Sequence, residues 1–255
     1  GELCEFHYVT PEEECGPADL VIFAVKFNGL QEAIQSMKKH VGEDTIIISL
    51  LNGITSESII GEAYGMDKVL YCVAQGMDAV KVGNKLTYDN MGMLCFGSKE
   101  PGVISSKAEK LAEFFEQMDV AYEIETEMMK RQWGKFMLNV GVNQTVAVYR
   151  TNYGGIQREG EARDTMIAAM REVIALSEKE GIDLTEEDLY YWLNILGTLG
   201  TNGKPSMAQD AEAHRPSEVE LFAGAVIAFG RKHQIPTPVN DKLYDKINRM
   251  EDQYQ

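Results

Sequence analysis

The sequence predicts an α/β fold: a parallel-sheet domain over residues 1–126, then an all-helical domain over residues 127–255. Three observations predict it. Runs dominated by apolar residues alternate with helical periods in the first half, helical periods fill the second half, and the change of grammar falls near Thr126. Strands buried on both faces read as continuous apolar runs, and strands separated by helices imply parallel crossovers.

Taken in order, residues 19–25 form the first apolar run, and a helix follows over 29–40 with Leu30, Ile34 and Met37 at helical spacing. The second run, 45–51, is closed by Asn52-Gly53. A short helix is expected over 56–64 and a third strand over 69–73. Segments 85–89 and 91–96 flank Asn90 and predict an antiparallel hairpin. A helix over 105–118 and a strand over 121–125 end the first domain. In the second, 128–149 reads as one long helix and 161–180 as another, stopped by Gly181. Thr185 is the expected N-cap of the next helix. Ser206 with Gln209, and Ser217 with Glu220, have capping-box spacing. The last long helix, 218–232, ends before Pro236 and Pro238, which cannot continue it.

The 255 residues carry 40 acidic and 24 basic side chains, a net charge of −16, and 44% hydrophobic residues. That supplies a core and excludes a disordered or fibrous chain. The acidity argues against nucleic acid or an anionic membrane surface, which need clustered Lys and Arg. No apolar run approaches the roughly 18 residues of a membrane span, and residues 1–10 lack the features of a signal peptide, so a cytoplasmic protein is expected. Cys4, Cys15, Cys72 and Cys95 form no CxxC and read as free thiols. His7, His40, His214 and His233 are scattered, and no metal site is expected. The opening Gly1, in place of Met, reads as a processing scar, so a piece of a longer protein is expected.

The most informative segment is 133–144. Lys135, Asn139 and Asn143 sit at i, i+4 and i+8, on one side of a helix, among Trp133, Phe136, Met137, Val140 and Val142. If buried, each needs a hydrogen-bonding partner. One reading is a small polar substrate, bound by the amides and protonated by the ammonium. The other is that these residues face solvent or cap neighbouring backbone.

Val25-Lys26, Leu51-Asn52-Gly53, Trp133-x-Lys135-x3-Asn139-x3-Asn143, Ser206-Met-x-Gln-Asp210 and Arg215-x-Ser-Glu218-x-Glu220 resemble, in order and spacing, the segments of the ketopantoate reductase (2-dehydropantoate 2-reductase) family. The similarity covers nearly the whole chain. It implies a Rossmann-type dinucleotide-binding domain followed by a helical substrate-binding or dimerisation domain. It also implies NADPH as hydride donor to ketopantoate, giving pantoate for pantothenate and coenzyme A synthesis. By position, Lys135 resembles the general acid that protonates the developing alkoxide, a charge that its cation also stabilises. Asn139 and Asn143 resemble substrate-binding amides, and Ser206 the hydroxyl that grips the substrate. Glu218 resembles a carboxylate that meets cofactor and substrate. Asn52, at a strand end where open α/β sheets bind ligands, resembles a residue contacting both the nicotinamide ribose and the substrate. Lys26 resembles a strand-end lysine near the cofactor. Each has a plainer reading. Ser206 is also a helix cap, Glu218 a first-turn carboxylate, Asn52-Gly53 a turn and Lys26 a solvated charge. Asp210, Arg215 and Glu220 are expected to be structural ion partners, and Tyr190, Tyr191 and Trp192 core.

Two departures stand out. The family has a further substrate-binding Asn where ungapped counting lands on Tyr153, with Asn152 adjacent. There is also no G-x-G-x-x-G in the chain, the loop whose glycines let backbone approach a pyrophosphate. The resemblance places that loop, with its flanking strand and helix and the 2′-phosphate-selecting region, before Gly1. The acidic cluster at 11–14 cannot replace it. Weak or absent NADPH binding by these residues is therefore expected, and NADPH over NADH rests on the resemblance alone. Two alternatives stay open: a reductase of another branched 2-keto acid, and a non-catalytic helical binding or dimerisation module. Unpaired sheet edges invite self-association, so a homodimer is an open expectation.

Overall fold

The computed structural model describes residues 7–13, 15–77 and 79–254. The chain divides into two compact units, Gly1–Leu51 with Thr55–Met128, and Asn52–Ile54 with Met129–Gln255.

The first unit is built on a five-stranded sheet in the order β1-β2-β3-β6-β7. Its elements are β1 (Leu20–Phe23), α1 (Leu30–Ser36), β2 (Ile46–Ser49), α2 (Ser56–Tyr64), β3 (Val69–Gln75), β4 (Val80–Val82), β5 (Lys85–Thr87), β6 (Met93–Gly97), α3 (Ser106–Gln117) and β7 (Tyr122–Ile124). β1, β2 and β3 are parallel neighbours, with Leu20 opposite Ile46 and Ile47 opposite Val69. β6 runs antiparallel to β3, and β7 parallel to β6.

β2 shows why a continuous apolar run makes a central strand. All four of its residues are buried. Because side chains alternate with period two, Ile46 and Ile48 join Leu70, Phe96, Leu111 and Phe115 on one face. Ile47 joins Val21, Leu30, Ile34 and Ile60 on the other. Each buried isoleucine contributes roughly 1.5–3 kcal/mol.

The expected hairpin around Asn90 is not formed. The turn is Gly83-Asn84, where Val82 pairs with Lys85 and Gly83 takes φ +58. A two-residue hairpin turn needs that left-handed backbone, which Gly supplies. β5 is exposed throughout, whereas Cys95 and Phe96 of β6 are fully buried and pair with β3 instead. Burial, and not adjacency in sequence, selected the partner.

The second unit contains α4 (Met128–Val148), α5 (Tyr153–Gln157), α6 (Glu161–Lys179), α7 (Glu186–Thr198), α8 (Ser206–Glu212), α9 (Ala223–His233) and α10 (Pro238–Glu251). Thr185 caps α7 as expected, in a reciprocal box with Asp188: the Thr185 N–H donates to Asp188 Oδ2 at 2.8 Å, and the Asp188 N–H to Thr185 Oγ1 at 3.4 Å.

The two other predicted capping boxes do not form. Pro205 is the N-cap of α8, Ser206 is its first residue, and the Gln209 side chain donates to the Lys204 carbonyl at 3.0 Å. Ser217 Oγ accepts from the Val219 N–H, while Glu220 accepts from the Tyr244 hydroxyl. The predicted 218–232 helix is divided into a 3-10 turn, Val219–Leu221, and α9. The break is at Phe222, with φ −107 and ψ −90. A tertiary contact replaces the local cap, since Gln144 Oε1 accepts the Ala223 N–H at 3.2 Å. On α7, Leu189, Trp192, Leu193 and Leu196 form the buried stripe. Tyr190 and Tyr191 are therefore exposed, contrary to expectation, and only Trp192 is core. Cys15 is an exposed thiol and Cys72 and Cys95 are buried ones; Cys4 lies outside the described residues, as does Glu14 of the acidic cluster. No helix among the described residues is long and apolar enough to cross a membrane.

Candidate active site

α4 has a packed face and a polar face. On the packed face a Cβ at Gly134 would lie 2.5 Å from Trp192 Nε1, and one at Gly141 would lie 2.5 Å from Met170 Cγ. Only glycine lets α4 approach α7 and α6 so closely. Trp133 adds a ring contact to Phe229 of α9, centroids 5.5 Å apart. At 3.6 residues per turn, Asn139 points roughly 140° away from Gly134. The packing thus fixes where Lys135, Asn139 and Asn143 are presented.

Lys135 and Asn139 are half-buried, and Asn143 is only 6% exposed. Neither asparagine amide has a hydrogen-bond partner among the described residues. Two amides a single turn apart, both without a protein partner among the described residues, leave polar groups that a ligand can take up. Ser206, exposed at the start of α8, also has a hydroxyl without a hydrogen bond among the described residues.

Asn52–Ile54 belongs with the helical unit. Asn52 Nδ2 donates to Glu218 Oε2 at 3.4 Å, a long hydrogen bond, and Gly53, at φ +92, packs against Leu221. Two predicted residues are therefore brought together. On the sheet side, the ends of the Asn52 segment are held by a buried hydroxyl chain. Ser49 Oγ and Ser56 Oγ are 2.8 Å apart, Ser56 donates to Glu57 at 2.9 Å, and Ser49 accepts from the Leu51 N–H. Lys26 is exposed just beyond β1, at the N-cap of the 3-10 turn Phe27–Gly29.

Next to Asn143 lies a group that sequence reasoning missed. Gln144 Nε2 donates to the Val140 carbonyl at 2.8 Å and to Asn240 Oδ1 at 3.1 Å. Asn240 Nδ2 donates to Glu172 at 2.7 Å, and Glu172 also accepts the N–H groups of Val239 and Asn240 at the start of α10. This network joins α4, α6, α9 and α10 and satisfies orphan donors at two helix starts. Its one visible signal was Pro238 at a helix start followed by Asn240.

Asn152 Oδ1 accepts the Gly155 N–H at 3.2 Å and caps α5, so it is not placed as a substrate amide. The Tyr153 ring lies against Gly203, and burial pushes its phenol pKa up. Asp210 and Arg215 pair at 2.7 Å, as expected of structural partners. Among the described residues no group of three or more His, Cys, Asp or Glu is placed to hold a metal.

The sequence matches the family models "Ketopantoate reductase PanE/ApbA" over residues 3–100 and "Ketopantoate reductase PanE/ApbA C terminal" over residues 127–251. A 2-dehydropantoate 2-reductase from Vibrio cholerae is 24% identical over 234 residues, 92% of this chain and 78% of that protein. Among solved structures, a PanE/ApbA family ketopantoate reductase from Ralstonia eutropha superposes with TM-score 0.83 at 25% identity, covering 94% of this chain and 78% of the other. D-mandelate dehydrogenase with NADH and anilino(oxo)acetate superposes with TM-score 0.86 at 22% identity, covering 95% and 78%. With its α/β sheet unit and its helical unit, this chain belongs to the ketopantoate reductase PanE/ApbA family of oxidoreductases.

Proposed function

We propose that the protein is an NADPH-dependent reductase of ketopantoate, yielding pantoate. The observation that carries this reading is the polar face of α4: a half-buried lysine with two amides, one and two turns further on, that have no hydrogen-bond partner among the described residues. On this reading Asn139 and Asn143 donate to the oxygens of the keto acid, and Ser206 adds a hydroxyl. As negative charge develops on the carbonyl oxygen, the Lys135 ammonium stabilises it and then transfers a proton to the alkoxide. Glu218 accepts from Asn52 and orients its amide.

The nicotinamide cofactor supplies the hydride when bound. The residues present fit one end of it. Lys26 and Asn52 lie just beyond the C-terminal ends of the parallel strands β1 and β2, where α/β sheets receive nucleotides. The G-x-G-x-x-G that cradles a pyrophosphate is not in these 255 residues, so no phosphate site is assigned. The choice of NADPH over NADH rests on the family resemblance alone; the D-mandelate dehydrogenase structure holds NADH.

A second substrate reading is favoured by Tyr153. A half-buried phenol where the family has an amide suits a keto acid with a bulkier or more apolar side chain. The test is keto-acid-dependent oxidation of NADPH, and of NADH, across ketopantoate and other branched or aromatic 2-keto acids. Highest kcat/KM for ketopantoate with NADPH is the expected result. No keto-acid-dependent turnover with either cofactor, at concentrations where calorimetry shows that cofactor bound, would overturn the enzyme reading.

A further inference from the structure

We infer that a cavity at the C-terminal end of α4, beyond the Asn143 end of the keto-acid face, binds a small organic anion, a monocarboxylate with a flat apolar body. The cavity holds about 380 Å³, within the range of small-molecule sites. Val146, Ala147, Ala208 and Met250 give it an apolar lining, and Arg150 and His214 bring cationic or protonatable groups to it. The His214 and Tyr254 rings stack with centroids 4.8 Å apart and planes 4° from parallel, forming one aromatic wall.

Three polar groups at this cavity are not engaged by protein among the described residues. The Arg150 guanidinium, the His214 imidazole and the Tyr254 hydroxyl have no hydrogen bond or ion pair among the described residues. In a chain with 40 acidic residues and a net charge of −16, an arginine at a cavity without a carboxylate partner is informative. The acid on the same wall, Glu212, is taken by Lys204. Burial and the Glu251 carboxylate raise the Tyr254 pKa, and Arg150 opposes them.

Arg150 and His214 also share a backbone feature. They adopt φ +49 and +51, the left-handed region, each just past a helix end. Side chains other than Gly, Asn and Asp rarely sit there. The helix C-termini carry about half a negative charge each, and at the end of α4 that favours the Arg150 cation. A full guanidinium charge exceeds that half charge and leaves the rim attractive to an anion.

The cavity lies beyond the Asn143 end of the keto-acid face, with Ala147 one turn past Asn143. On α8, Ala208, Ala211 and Glu212 point to the side roughly opposite Ser206. On α4, Val146 lies eleven residues beyond Lys135, roughly 16 Å along the axis.

Calorimetric titration with sodium benzoate, benzyl alcohol and inorganic phosphate tests the proposal. Benzoate is expected to saturate one site, with benzyl alcohol and phosphate each at least about tenfold weaker, because charge and ring are both required. Arg150→Gln, at an exposed position, should weaken benzoate at least about tenfold and leave keto-acid turnover unchanged. Ala211→Phe should fill the cavity and abolish binding. Lys135→Ala should leave benzoate affinity within about twofold, which separates this site from the keto-acid face. The proposal is overturned by no saturable benzoate binding, by binding that follows Lys135→Ala instead of Arg150→Gln, or by phosphate binding as tightly as benzoate.

Discussion

Asn143 and Gln144 are neighbours on α4, both buried, and both end in a carboxamide. Gln144 makes three hydrogen bonds, to the Val140 carbonyl, to Asn240 and from the Ala223 N–H. The Asn143 amide makes none among the described residues. A rotation of about 100° about the helix axis separates scaffold from site. The lesson is that residue type does not divide the two roles; satisfaction does. A fully bonded buried amide fixes geometry, whereas one without a protein partner contributes little to stability and is left for a ligand.

The largest effect that would sharpen this contrast is at Lys135. Lys135→Ala should lower keto-acid turnover about 10²–10⁴-fold, the usual scale for a lost general acid, with little change in melting temperature. Turnover within a few-fold of the parent enzyme would remove Lys135 from that role. Next in size, Gln144→Leu keeps the volume but leaves the Ala223 N–H and Asn240 without their partner. Denaturant unfolding should then show a loss of about 2–3 kcal/mol.

Asn143→Ala is the mirror experiment. KM for the keto acid should rise about tenfold or more, while stability changes by less than about 1 kcal/mol. Equal destabilisation by the Asn143 and Gln144 substitutions would break the comparison.

The smallest effect lies away from α4. Burial works to raise the Glu180 carboxyl, but hydrogen bonds and charge from Lys232 and His233 hold it below its ordinary 4.5. A carboxyl depressed in the folded state adds stability above its unfolded value, and that stability is lost as pH falls through the folded value. Glu180→Gln should therefore cost about 0.5–1 kcal/mol near neutrality and almost nothing in strong acid, read from unfolding curves across pH. A pH-independent cost would show that the pair contributes packing and not charge.

Much of this was legible in the sequence, for reasons that differ by element. The isoleucines of β2 announced a strand buried on both faces because no other element needs every position apolar. The spacing of Lys135, Asn139 and Asn143 announced one helix face because helical geometry is local. What escaped was set by distant contacts. The break at Phe222 depends on Gln144 capping Ala223, seventy-nine positions away. The β6 partner was missed because the pairing of Cys95 with Val73 is decided by core burial. Tyr190 and Tyr191 are as aromatic as Trp192, and only the phase of α7 against its neighbours leaves them outside.

The glycines of α4 have one more consequence. Gly134 and Gly141 lie seven residues apart, so the helix is pinned at two points on one side, against Trp192 and Met170. A rod clamped twice along its back can neither roll nor slide, and its front can be rewritten freely. Substrate preference in this chain should thus be adjustable at the front of α4 alone, one side chain at a time, while the clamp keeps each new group in the position of the old.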